Sequence, residues 1–275
     1  MWALESSHQP PSGRRLAGAP VALVLILGVG LAACAALVAG GWLPAAALRV
    51  AAFTAGHGVL LGTALGWAGP ASTPAWNPAG ATLVVVALLA LAATATVFDP
   101  HGALAYLAIP VWLLPLAARG RLVPLGIVRP MPVAAVPIGL AIGAALGGHL
   151  LLSAALTMRY SVRQDGLGLY LAALAYDVGA NIPSGEGFFR GTLFNRVQRL
   201  SSFASGATLA TAACLARYLI DPLLPRTVEA MIGAVVYLTL LSVANAWLLW
   251  WSGSLVPAIA SALVFFAAYR LLAAG

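Results

Sequence analysis

The sequence predicts an all-α, polytopic transmembrane helical bundle of about eight to nine hydrophobic segments, an expectation that rests on three observations. Of 275 residues, 62% are apolar and only 8% are charged, and apolar runs long enough to cross a bilayer recur along the whole chain. Soluble domains carry about 25% charged residues, so no stretch here is polar enough to form a separate soluble domain. The 14 basic residues, all arginine, outnumber 7 acidic ones. In a membrane chain that surplus bears on orientation and anionic lipid, and nucleic-acid binding is not expected. The complete absence of lysine is read as a trace of GC-rich coding rather than of chemistry.

Residues 1–16 form a polar N-terminal tail with Pro10, Pro11 and the pair Arg14-Arg15. The apolar run 16–43 starts like a signal sequence, and Leu31-Ala32-Ala33-Cys34 mimics a lipoprotein cleavage box. Ala35-Ala36-Leu37-Val38 carries the run beyond a signal h-region, so it reads as an uncleaved first span. Further segments are expected at 50–67, 79–98, 102–118, 132–158, 167–194, 203–220, 228–250 and 255–272. The organisation predicted is a tail over 1–16, N-terminal transmembrane helices over 17–160 and a core over 161–275.

Arg119, Arg121 and Arg129 crowd one short loop, and four spans separate it from Arg14 and Arg15. Both regions, and hence the N-terminus, are therefore expected in the cytoplasm, with Arg196 and Arg199 on the same side. The loop of Arg159, Arg163 and Asp165 then falls outside. Gly139, Gly143 and Gly147 have small-xxx-small spacing, which predicts close helix packing. Helices that are apolar all round give amphipathic periodicity little to report.

Chemistry is sought at Glu186 and Arg190, which stand four residues apart in Gly185-Glu186-Gly187-Phe188-Phe189-Arg190-Gly191-Thr192-Leu193. A spacing of four puts both side chains on one helical face, and ionisable residues at membrane depth mark function by default. The plain alternative is a structural ion pair between helices. Upstream, Asn181-Ile182-Pro183-Ser184 is expected to break the helix, because proline lacks an amide donor and biases the residue before it away from helix. Asp177, Asn181 and Asn195 flank the motif as supports or caps.

The segment Gly185-Glu186-Gly187-Phe188-Phe189-Arg190-Gly191 resembles the first motif, Glu-Glu-x-x-x-Arg followed by Gly, of the CAAX-protease and bacteriocin-processing (Abi-like) intramembrane peptidases, with Gly185 at the first glutamate. The family's second motif, Phe-x-x-x-His, is best matched by Cys214-Leu215-Ala216-Arg217-Tyr218, with Tyr218 at the histidine. Its third, His-x-x-x-Asn or Asp, follows a Gly-Ser-Leu turn; Gly253-Ser254-Leu255 matches the turn, while Ser261 and Phe265 occupy the polar positions. The resemblance covers roughly residues 165–270 and makes 161–275 an Abi-like peptidase core.

The resemblance implies a water molecule activated by glutamate and a peptide bond cut at membrane depth. Such chemistry needs a base for the water proton and donors for the developing oxyanion. Glu186 and Arg190 are the candidate catalytic pair, with Arg217 and Tyr218 as candidate replacements for the histidines. Arg217 and Tyr218 also admit a plainer reading as interfacial anchors before the helix-ending Asp221-Pro222. The partners implied are membrane lipid and a membrane-anchored protein or peptide substrate. A sorting peptidase similar to the myxosortase branch, in a bacterial inner membrane, is one specific form of this reading. An inactive member acting as a membrane binding or scaffold protein is the alternative; a transporter fits less well, since no inverted pair of broken helices is visible.

No cofactor and no metal are expected. His57 and His149 lie inside apolar runs and read as hydrogen-bonded packing residues, while His8 and His101 read as loop residues. Cys34 and Cys214 lack CxxC spacing and read as small buried hydrophobes. Asn245 reads as an interhelical hydrogen-bonding residue, and Trp247, Trp250 and Trp251 as an aromatic belt.

Overall fold

The computed structural model describes residues 19–68, 77–127, 131–157, 161–162, 166–219 and 228–273. The polar tail with His8, Arg14 and Arg15, the loop residues Arg129, Arg159, Arg163 and Asp165, and the Asp221-Pro222 helix end lie outside them. The fold is polytopic and of the all-α class, with a two-residue strand pair besides the helices. The helices are α1 (Ala19–Ala39), α2 (Ala45–Ala68), α3 (Pro78–Phe98), α4 (Ala108–Ala118), α5 (Ala135–Thr157), α6 (Leu167–Tyr176), α7 (Ile182–Gly185), α8 (Asn195–Leu200), α9 (Phe203–Leu219), α10 (Val228–Ser252) and α11 (Val256–Tyr269). Within the described residues each expected hydrophobic segment is largely helical. Among the described residues six segments are long and apolar enough to cross a membrane: Val21–Ala39, Ala45–Ala68, Pro78–Phe98, Pro100–Ala118, Ala135–Thr157 and Met231–Ser252.

The helix ends follow local chemistry. Asn77 caps α3 by accepting the Gly80 amide at 3.0 Å, with Pro78 at the first helical position. Asp99 accepts the His101 amide at 2.9 Å and starts a 3-10 segment, Pro100–Leu107, that leads into α4. That amide bond, then the His101 side chain, holds the Asp99 carboxyl below the usual carboxylate range. After α1 the Trp42 amide returns to the Leu37 carbonyl at 2.9 Å, and after α4 the Arg121 amide returns to Leu116 at 2.9 Å. Both turns pass through a left-handed residue, Gly41 (φ 77°) and Gly120 (φ 68°), which a side chain would strain.

The helices group into two compact units. One holds α1 to α4, α6, α7 and the chain as far as Phe188; the other runs from Gly126 through α5 and from Phe189 onward. In the first, α2 packs between α1 and α3: a Cβ on Gly62 would lie 2.7 Å from Leu23 and 2.7 Å from Thr82. Leu23 and Leu27 of α1 face α2, while Ile26 at 70% and Val29 at 66% exposure point outward, as suits a helix bathed in lipid.

In the second unit, Phe194, Ala207, Ala210, Leu248, Leu249, Leu255 and Ala258 form a core, against which Trp247, Trp250 and Trp251 pack half-buried. The glycines of α5 face α11 so closely that a Cβ on Gly139 would meet the Pro257 carbonyl, one on Gly143 the Ser261 carbonyl, and one on Gly147 the Ala268 methyl at 2.7 Å. Thr211 and Ser242 share a hydrogen bond of 2.8 Å between α9 and α10. A two-residue antiparallel pair, β1 (Ser161–Val162) with β2 (Leu272–Ala273), completes the unit.

The α5–α11 contact gives a paired expectation. Gly143→Ala places a methyl against the Ser261 backbone, so overpacking should cost about 1–3 kcal/mol. Gly148→Ala, whose Cβ meets nothing within 4 Å, should be neutral or stabilise by up to about 1 kcal/mol through helix propensity. Thermal unfolding in detergent checks both; equal melting temperatures for the two variants would contradict this packing.

Candidate active site

The segment carrying Glu186 and Arg190 is a broken helix. After α6 it widens through Asp177–Asn181, where the Ile182 amide bonds the Asp177 carbonyl five residues back instead of four. Pro183 supplies the reason: it has no N–H, so an α ladder cannot continue through it and the register shifts by one residue. Asn181 Nδ2 donates to Asp177 Oδ1 at 3.0 Å across this wide turn. Gly179 lies against the Tyr106 backbone, where a Cβ would meet the carbonyl. After α7 a second wide stretch, Glu186–Phe194, holds both motif residues before α8 resumes regular geometry.

Glu186 is 4% exposed and Arg190 2% exposed. Gly187 faces α2, where a Cβ would come 3.7 Å from Ala64, and Phe188 stacks on Trp67 at 6.3 Å. Gly185, at the position next to Glu186, leaves open space: a Cβ there meets nothing within 4 Å. The division between the two units falls between Phe188 and Phe189, so Glu186 belongs to the first and Arg190 to the second.

Within the second unit, Arg190 Nη1 lies 3.6 Å from the sulfur of Cys214 on α9. One turn further along the same face of α9 stands Tyr218, stacked on Phe266 of α11 at 6.2 Å and 25°. The Arg217 guanidinium sits 4.4 Å above the Tyr218 ring, an intrahelical cation–π contact. Arg190, Cys214 and Tyr218 are thus brought to one side of α9, with Arg217 beside them. On α11, Phe265 is buried against Tyr237 at 6.5 Å, and the Ser261 hydroxyl is fully buried with no hydrogen-bond partner among the described residues. Also among the described residues, no three His, Cys, Asp or Glu side chains converge as a metal set would.

Residues 167–265 match the family model of the Type II CAAX prenyl endopeptidase Rce1-like proteins. This stretch is similar to the CAAX-protease family. No curated protein and no solved structure matches the chain. The Rce1-like segment starts at the first residue of α6 and ends at Phe265, so it takes in Glu186, Arg190, Arg217 and Tyr218. The chain is therefore an integral membrane protein that carries a segment similar to an intramembrane protease family.

His57 is hydrogen-bonded inside the fold as its sequence context suggests, but its partners could not be read from the sequence. His57 of α2 hydrogen-bonds Ser184 at 2.8 Å and Tyr176 at 2.9 Å, over separations of 127 and 119 residues that no local pattern betrays. His149 makes a comparable bond to Tyr237 at 2.7 Å. The contribution of the aromatic contact on α9 is open to measurement. Tyr218→Leu should be less stable than Tyr218→Phe by about 0.5–1.5 kcal/mol, since only the Phe variant keeps the Phe266 stack; a Leu variant as stable as Phe would remove the stack from the description.

Proposed function

We propose that the chain is an intramembrane endopeptidase of the glutamate type, cutting a membrane-anchored protein or its C-terminal tail. The observation that carries the proposal is the burial of Glu186 and Arg190 one turn apart in a widened helix inside the Rce1-like segment. Wide turns of this kind concentrate at functional sites, and buried ionisable residues at membrane depth are retained for a purpose. Gly185, the residue before Glu186, leaves open space where a side chain would stand.

In this reading Glu186 takes a proton from water as its oxygen attacks the scissile carbonyl, and later returns that proton to the leaving amine. Arg190 holds the carboxylate in place. Arg217 and the Tyr218 hydroxyl donate to the tetrahedral oxyanion, the task the family's histidine side would share. The substrate class extends to C-terminal sorting signals, as in the myxosortase branch. We place the protein in a bacterial inner membrane with a cytoplasmic N-terminus, on the arginine distribution, and take 161–275 as its peptidase core.

A second reading, a binding or scaffold protein without catalysis, is favoured by Phe265, an apolar ring packed on Tyr237 where the family pattern calls for a polar group. Co-expression with a membrane-anchored substrate separates the two. Glu186→Gln should reduce cleavage by about 10²–10⁴-fold, the range of a lost general base. Arg217→Ala and Tyr218→Phe should each cost on the order of 10²–10³-fold, the worth of one oxyanion donor. Cleavage that persists undiminished in Glu186→Gln would end the catalytic assignment, and loss of partner binding without any cleavage would favour the scaffold.

A further inference from the structure

The imidazole of His57 lies 3% exposed on α2, with both ring nitrogens hydrogen-bonded to the broken helix. The proton positions follow from the partners. Ser184 Oγ sits 2.6 Å from the Ala180 carbonyl and 3.2 Å from that of Asn181, and a carbonyl only accepts, so the single serine hydrogen is used there. Ser184 must therefore accept from His57, which makes Nδ1 the protonated nitrogen at 2.8 Å. In a neutral ring Nε2 is then the acceptor, and the Tyr176 hydroxyl donates to it at 2.9 Å. Every donor in the chain Tyr176, His57, Ser184, Ala180 has its acceptor.

The two partners stand on opposite sides of the weakest part of the helix. Tyr176 is the last residue of α6, Ser184 lies in α7, and between them come the wide turn Asp177–Asn181 and the donorless Pro183. Glu186 follows Ser184 by two residues. The ring is held in plane by Phe53, stacked at 6.3 Å and 11°, while Tyr176 is gripped edge-on by Phe53 at 5.8 Å and by Tyr106 at 5.3 Å. Where the backbone ladder loses a rung, a side-chain bridge replaces it.

We propose that His57 is a positioning residue: one imidazole on α2 spans the break between Tyr176 and Ser184 and so fixes the turn that presents Glu186. Its catalytic consequence rests on the endopeptidase reading above, because a general base misplaced by about 1 Å can cost on the order of 100-fold in rate. Glutamine carries one donor and one acceptor on a single planar, non-titrating group and can keep both bonds; leucine keeps bulk and loses both. Tyr176→Phe removes one hydroxyl and leaves the aromatic contacts.

The test uses the full chain in nanodiscs and two readouts, hydrogen exchange of the amides of 177–188 and the kcat and KM for a membrane-anchored substrate. His57→Leu and Tyr176→Phe should speed exchange through 177–188 and lower kcat by about 10- to 100-fold with KM little changed, and His57→Gln should recover most of both. Glutamine no better than leucine, or exchange unaltered in both His57→Leu and Tyr176→Phe, would overturn the bridge and leave His57 a packing residue. If exchange responds as expected while the wild type cleaves nothing, the bridge stands and the endopeptidase reading fails. If the wild type cleaves and His57→Leu keeps its kcat despite faster exchange, the role in positioning Glu186 is lost.

Discussion

Glu186 and Arg190 are buried in a widened helical segment, and a charged side chain removed from water costs several kcal/mol unless the surroundings answer it. With Asp177 they make up the charged residues found buried among the described positions. A regular apolar α-helix offers such groups little, since its backbone donors and acceptors are used internally. The segment instead widens twice, and the interruptions bring in side-chain partners: Asn181 for Asp177, His57 and Tyr176 for the Ser184 turn, the Cys214 sulfur for Arg190. Much of the surrounding packing is arranged to let a broken helix stand.

Close backbone approach recurs elsewhere. Gly179 admits the Tyr106 backbone beside the first wide turn, and the α5 glycines bring α11 close against α5 in the second unit. Without a hydrophobic force between helices in lipid, such backbone proximity and its dispersion contacts provide much of the association. α11 in turn supplies Phe266 to the Tyr218 ring on α9, the helix whose Cys214 meets Arg190.

The spans and the glycine contacts were legible because their signals are local: an apolar run has a length, and Gly139, Gly143 and Gly147 repeat at helical spacing. Pro183 announced the break, and its consequence is a wide turn rather than an end, since the chain recovers as α7 and runs on to Leu200. The Glu186 and Arg190 motif was legible from residue types alone. The His57 bridge and the Arg190–Cys214 contact were not, because apolar helices carry no amphipathic stripe to say which face meets which. His57 looked like any histidine in an apolar run; its partners are set by tertiary packing. The 3-10 start of the Pro100–Ala118 segment also escaped, although Asp99-Pro100 is a recognisable initiating pair.

The central claim is that Glu186 delivers a water oxygen to a peptide carbonyl, and isotopic labelling tests it at the reacting atom. Cleavage of a membrane-anchored substrate in water enriched in oxygen-18 should place one labelled oxygen in the new C-terminal carboxylate, released in proportion to the activity that Glu186 supports. A product formed without the label, its acyl group passed instead to an amine or held on the protein, would contradict the account.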